Sequence, residues 1–164
     1  MAFWTEANSD PIREYRFTIQ TNGPSKLNGV WWWAQSVERP TYEVDSKGYQ
    51  LGNHYFNYPG ILKWNPIKVT IVDIEDKTEN LINNLQKMGY ETPDGRTSGA
   101  IQKKSDKAIN DVIINQFNGK GEIVQTWNLK DAMVTSVDFG ELSYKSDDLL
   151  SITLTIVYDY ATYD

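Results

Sequence analysis

His54 is the single histidine of the 164 residues, and cysteine is absent. A lone imidazole, with no carboxylate or serine at motif spacing, forms neither a nucleophile–base pair nor a metal-ligand set. Without thiols there is no disulfide framework, thiolate nucleophile or Cys-based metal site. The acidic clusters are Asp147-Asp148 and Asp73 with Asp76. They stand near the ends of expected elements, where carboxylates serve turns and helix N-termini better than metals. No nucleophile elbow, phosphate loop, dinucleotide fingerprint, HExxH or EF-hand loop occurs. Asp and Glu total 22, enough to supply a pair for glycoside hydrolysis, but no spacing singles one out. A non-enzymatic role is expected, with no cofactor and no metal.

The other chemistry within reach is stacking. Six Trp and ten Tyr raise the aromatic share to 13%, beside many Asn, Thr, Ser and Asp residues. That balance suggests β-rich structure, an interaction surface, or both. Trp31, Trp33, Trp64 and the tyrosines of 49–58 are candidates for stacking on sugar rings, as in a carbohydrate-binding β-sandwich. No spaced trio of aromatics stands out on one strand face, so core and subunit-interface aromatics are the favoured reading.

The formal net charge of −6 argues against a protein that grips nucleic-acid phosphates, which needs clustered Lys and Arg. It does not argue against one that lets DNA pass. No apolar run reaches the length of a transmembrane helix, so no membrane insertion is expected. The start, MAFWTEANSD, lacks the basic and apolar stretches of a signal peptide. The length fits a single domain over 1–164.

These side chains must be positioned by elements that the pattern suggests. Residues 1–12 show no periodicity and read as an N-terminal arm. Arg13 to Thr21 alternates, with Tyr15, Phe17 and Ile19 on one face, as a half-buried strand does. Gly29 to Val37 reads as a strand holding Trp31-Trp32-Trp33. Alternation turns Trp32 against Trp31 and Trp33, so both faces carry a large apolar group. Such a strand is covered on both sides by its own domain or meets another subunit. Thr41–Asp45 is a short strand, and 46–60 an extended loop or hairpin. Tyr49, Leu51, Tyr55, Phe56 and Tyr58 sit there among three glycines. They either cap the domain's own core or dock on a neighbour.

Ile67 to Val72 is an apolar strand. Asp76 and Glu79 form a D-x-x-E capping box before Leu81, Ile82, Leu85 and Met88, which predicts one helix over about 77–88, stopped by Gly89. Residues 91–108 are rich in turn formers and read as a surface loop. Asp111–Phe117 and Glu122–Asn128 are strands joined by a hairpin at Asn118-Gly119. Ala132–Phe139 is a further strand with Met133, Val137 and Phe139 in register. Gly140–Asp148 is a polar connection. Leu150, Ile152, Leu154, Ile156 and Tyr158 give the clearest alternation of the chain. The expected fold is mainly β, a β-sandwich or barrel with one packed α-helix and extended loops.

The order of these pieces resembles the tail-tube proteins of contractile-tailed bacteriophages over nearly the full chain. The resemblance is carried by Tyr15-Arg16-Phe17-Thr18-Ile19, by Pro40, Tyr42 and the Gly48–Gly60 segment, and by Trp64-Asn65-Pro66-Ile67-Lys68-Val69-Thr70. It is also carried by Trp127-Asn128-Leu129-Lys130-Asp131-Ala132, which leads through Val137, Leu142 and Tyr144 to Tyr158-Asp159-Tyr160-Ala161. No single piece is specific; the resemblance is carried by their order and spacing.

The resemblance implies hexameric rings that stack into a tube within a contractile sheath, the conduit for DNA ejection. The type VI secretion tube protein (haemolysin-coregulated protein) shares that architecture. A tube-initiating baseplate protein and a secretion-system tube are the alternatives inside the family. Expected partners are the chain itself, the tail sheath, the tape-measure protein, and the baseplate and tail-terminator proteins. DNA would pass without tight binding. The expected location is the virion tail tube, assembled in the host cytoplasm. On this reading Phe3, Trp4, Trp31, Trp33, Tyr49, Leu51, Tyr55, Phe56 and Tyr58 belong to subunit or ring interfaces. Glu43, Asp45, Asp138 and Glu141 are candidates to line the channel, where like charge would keep DNA off the wall.

Overall fold

Ten strands account for most of the molecule in a computed structural model that describes residues 13–22, 29–77, 81–83 and 108–164. They are β1 (Phe17–Asn22), β2 (Gly29–Val30), β3 (Ala34–Val37), β4 (Tyr42–Leu51), β5 (His54–Trp64), β6 (Ile67–Val72), β7 (Ala108–Phe117), β8 (Ile123–Asp138), β9 (Ser151–Val157) and β10 (Tyr160–Tyr163). Eight of them form one antiparallel sheet in the order β2-β1-β7-β8-β9-β6-β3, with β10 also paired to β8. β4 and β5 form a separate two-stranded sheet. The expected arm 1–12, most of the expected loop 91–108, and residues 78–80 and 84–88 of the expected helix lie outside the described residues.

β2 and β3 sit at opposite ends of the strand order, yet they are pieces of one short segment. The Trp31 N–H donates to the Ile19 carbonyl at 2.8 Å, and the Val72 N–H donates to the Trp33 carbonyl at 3.0 Å. The segment thus steps from β1 across to β6 and ties the two edges of the sheet together. The expected single strand over Gly29–Val37 is therefore broken by a turn at Trp32-Trp33. The break is what lets one segment serve two edges, and it makes the sheet barrel-like.

Inside lie Ile19, Ile67, Val69, Ile71, Val112, Ile114, Leu129, Val134, Ile152, Leu154 and Ile156, all at most 2% exposed. β9 has the buried alternation that its sequence announces, and Tyr158 continues it at 5% exposure. β8 departs from expectation. It is one strand of 16 residues rather than two; Leu129, Ala132 and Val134 are its buried residues, and of the expected Met133, Val137 and Phe139 only Val137 packs against the core. The facing changes at a bulge: Val112 pairs Leu129 while Asn110 pairs Ala132, and Asn110 and Asp131 hold φ of +64° and +53°. Asn and Asp tolerate that left-handed conformation better than other side chains. Asp131→Val is expected to lose about 1–2 kcal/mol, whereas Asp131→Gly should match the parent or gain up to about 1 kcal/mol. Urea midpoints of the three proteins check this.

β9 and β10 line the same edge of β8 in matching register, Val157 opposite Met133 and Tyr160 opposite Lys130, separated only by Tyr158 and Asp159. One C-terminal segment therefore covers nearly the whole length of β8. Helical residues appear at 75–77 and 81–83. The helix begins before the expected capping box, so Asp76 stands in its first turn, where a carboxylate still complements the helix dipole. Leu81 anchors it to the core at 5% exposure.

Candidate functional site

The expected loop 46–60 is the outer part of a β-hairpin. β4 and β5 pair from Tyr42↔Trp64 to Leu51↔His54. At about 3.3 Å per residue, the 10 residues of β4 reach roughly 30 Å. Gly52 holds φ +63° at the first position of the two-residue turn Gly52-Asn53, the place where a type II′ hairpin requires glycine. Gly48 lets the Tyr55 ring lie against the backbone, where a Cβ would push that exposed ring aside.

All of β4 and all of β5 except Trp64 are exposed. Residues directly opposite in a ladder share a face. Tyr49 faces Phe56, Leu51 faces His54, and Lys47 faces Tyr58. Tyr49, Leu51, Phe56 and Tyr58 are thus gathered on one face of the arm, and Tyr55 is on the other over Gly48. His54 packs its ring against Phe56 at 4.7 Å, tilted 67°. Among the described residues no group of three His, Asp or Glu side chains is placed to hold a metal ion.

The arm joins the barrel through an aromatic stack. Tyr42 meets Trp64 at 5.2 Å, and Trp64 meets Tyr158 at 5.9 Å. Beside them the Asn65 N–H donates to the Thr41 carbonyl at 2.9 Å. Burial pushes the Tyr158 phenol above its ordinary pKa, and the neighbouring Thr41 backbone partly offsets this. The Tyr158 hydroxyl nevertheless falls short of full hydrogen-bond geometry. Farther along, Lys130 and Asp111 form an ion pair at 2.6 Å, and that hydrogen bond raises the Lys130 pKa.

The remaining candidates are scattered. Trp31 is 5% exposed and belongs to the core, so it offers no surface to a neighbouring subunit. With Trp31 buried, Trp31 and Trp33 do not make an exposed platform for a sugar either. Trp33 packs partly against the core, with the Lys77 ammonium 5.7 Å from its ring centre. The exposed tryptophan of the triplet is Trp32, at 68%: Trp32 is opposed to Trp31 and Trp33 as alternation implies, and the face that meets the core is that of Trp31 and Trp33. Phe3 and Trp4 lie outside the described residues.

The four acidic candidates do not converge. Glu43 and Asp45 stand at the base of the hairpin, Glu43 opposite Lys63. Asp138 and Glu141 lie at the other end of the sheet, where Asp138 Oδ1 accepts from the Gly140 N–H at 2.9 Å. Sequence reasoning missed Val44, Ile61 and Leu62 on the hairpin, and Leu142, Tyr144 and Leu149 in the connection before β9, all exposed. Leu142 and Tyr144 stand in the Gly140–Asp148 segment read as polar, and Leu149 directly follows it; large apolar side chains among turn formers were the available signal.

The model of the family described as T4-like virus tail tube protein gp19 matches residues 14–162. No curated protein matches the chain. Among solved structures, the chain is similar to one from the sheath/tube terminator of the extracellular contractile injection system PVC, at 21% identity and a TM-score of 0.73, covering 96% of this chain and 99% of that one. A chain from the tube-terminating cap of the anti-feeding prophage gives 20% identity and a TM-score of 0.70, covering 100% and 99%. Hcp1 from Salmonella typhimurium gives 11% identity and a TM-score of 0.51, covering 92% and 86%. At these identities the likeness is one of fold.

Proposed function

Since the chain belongs to the T4-like virus tail tube protein family, we propose that it fulfils its structural role in a contractile tail as a hexameric ring that stacks into the inner tube. The observation that carries this reading is the exposed hairpin. An isolated two-stranded hairpin is at best marginally stable in water, and contiguous apolar surface on a soluble chain marks a contact site. Tyr49, Leu51, Phe56 and Tyr58 are the side chains we assign to contacts between copies. The chain acts as a building block without catalysis.

The other partners are those of a tube. Sheath, terminator, cap and baseplate components accompany the similar chains in their own assemblies, and we assign equivalents here, together with a tape-measure protein inside the tube. The tube would be assembled in the host cytoplasm and reside in the virion tail. A net charge of −6 per copy suits a channel that repels DNA instead of binding it. Glu43, Asp45, Asp138 and Glu141 remain our candidates for that lining, as two separate acidic bands.

Electron microscopy of the purified protein, with light scattering for mass, tests the reading. Rings or tubes are expected, built from a hexamer of the 18.8 kDa chain. A compact monomer at every concentration, even when seeded with tube fragments, overturns it.

A further inference from the structure

The two ends of the barrel carry features that the hairpin leaves unexplained. β1 is paired by β2 only at Gln20 and Thr21. Below that point the starting end of β1 and the finishing end of β3 are not joined, and a cavity of about 470 Å³ opens between them. Tyr15, Phe17 and Val37 line it with apolar surface, Arg13 and Arg39 flank it, and Gln116 is at its base. Gln116 is 8% exposed, and its Oε1 has no hydrogen-bond partner among the described residues. A buried acceptor without a donor costs about 1–3 kcal/mol, so the site is incomplete as it stands. Glu14 also lines it, and two guanidiniums against one carboxylate leave the groove net positive.

The opposite end, reached by β8 as it finishes and β9 as it starts, presents the complement. Leu142 and Leu149 are 84% and 82% exposed, and Tyr144 is fully exposed. Glu141, Asp147 and Asp148 outweigh Lys145 there. Ser146 Oγ donates to Asp148 Oδ2 at 2.9 Å, and the Lys145 N–H donates to Ser143 Oγ at 3.2 Å. Those bonds fold the segment into a compact turn with Tyr144 outward.

We propose that the 141–149 loop of one copy seats in the β1–β3 groove of a second copy. Tyr144 enters the cavity, its hydroxyl supplies the donor that Gln116 Oε1 lacks, and Asp147 and Asp148 face Arg13 and Arg39. Charge selects this occupant over the hairpin tip, which brings Lys47 and His54 and no acid. Groove and loop lie at opposite ends of the barrel, so the contact is heterologous and repeats head-to-tail instead of closing on a pair. The inference rests on self-assembly of the chain, as the tube role does, but it names a contact separate from the hairpin.

The cysteine-free chain allows a direct test. Ser36→Cys and Lys145→Cys are combined in one chain, which leaves Tyr144 in place; both positions are exposed, and Ser36 lines the groove. A short bismaleimide is added to the assembled protein. A ladder of covalent trimers and larger species is expected, while either single-cysteine variant stops at dimers. In parallel, Arg13→Glu with Arg39→Glu, or Asp147→Arg with Asp148→Arg, should each weaken self-association at least tenfold. All four changes together should restore it. Particles that form without a ladder, or reversals that leave association unchanged, overturn this contact and leave the tube role standing. Absence of both particles and ladder at every concentration overturns both.

Discussion

Trp31→Ala is expected to cost the isolated chain about 3–5 kcal/mol, a large part of the roughly 5–15 kcal/mol that holds a domain folded. Two effects add. Trp31 is buried in the core cluster, so truncation leaves a large cavity that its β-branched neighbours cannot fill. It also stands between the two backbone hydrogen bonds that tie β1 to β6. Loosening it frees the corner by which one segment links both edges of the sheet. Trp32→Ala, one residue on, should change stability by no more than about 0.5 kcal/mol, because that ring is in solvent. Urea unfolding at a concentration where the chain is monomeric separates the two. Equal effects at both positions would mean that the corner does not close the sheet.

That contrast also shows how far the sequence could be read. β6 and β9 were legible because their ladders run without interruption: Ile67, Val69 and Ile71, then Ile152, Leu154 and Ile156, keep one period and one facing. The Trp triplet was legible only in part: alternation separates Trp32 from Trp31 and Trp33, but a triplet with a large ring on both faces does not say which face meets the core, and nothing in it marks the turn at Trp32-Trp33. β8 failed for a related reason. A bulge at Asp131 shifts the facing by one residue, and the only clue is an Asx side chain able to hold positive φ. The five apolar residues among the glycines of 46–60 were visible as a group. Whether they met their own core or another chain was not, since an amphipathic strand has the same pattern in both cases. The acidic candidates were chosen by type and proximity to strands, and charge carries no periodicity that would have revealed their separation to opposite ends.

Replacing Tyr49, Leu51, Phe56 and Tyr58 together by serine is expected to abolish assembly while leaving monomer stability within about 0.5 kcal/mol of the parent. The physical basis is that these side chains gain nothing from the chain's own core. Fully burying a Leu or Phe contributes about 1.5–3 kcal/mol, so two of the four positions suffice for a weakening of about 100-fold or more. Gln50→Ser with Asn57→Ser, on the opposite face beside Tyr55, is the control and should assemble normally. Sedimentation across a concentration series reads association, and thermal unfolding reads the fold. Normal assembly of the quadruple variant would remove the hairpin face from the contact between copies. Loss of folding would show instead that the arm is held by its own chain, contrary to the exposure of nearly every residue in both strands. The base of the arm makes the second outcome unexpected, because the Tyr42–Trp64–Tyr158 stack and the Thr41–Asn65 hydrogen bond lie outside the substituted positions.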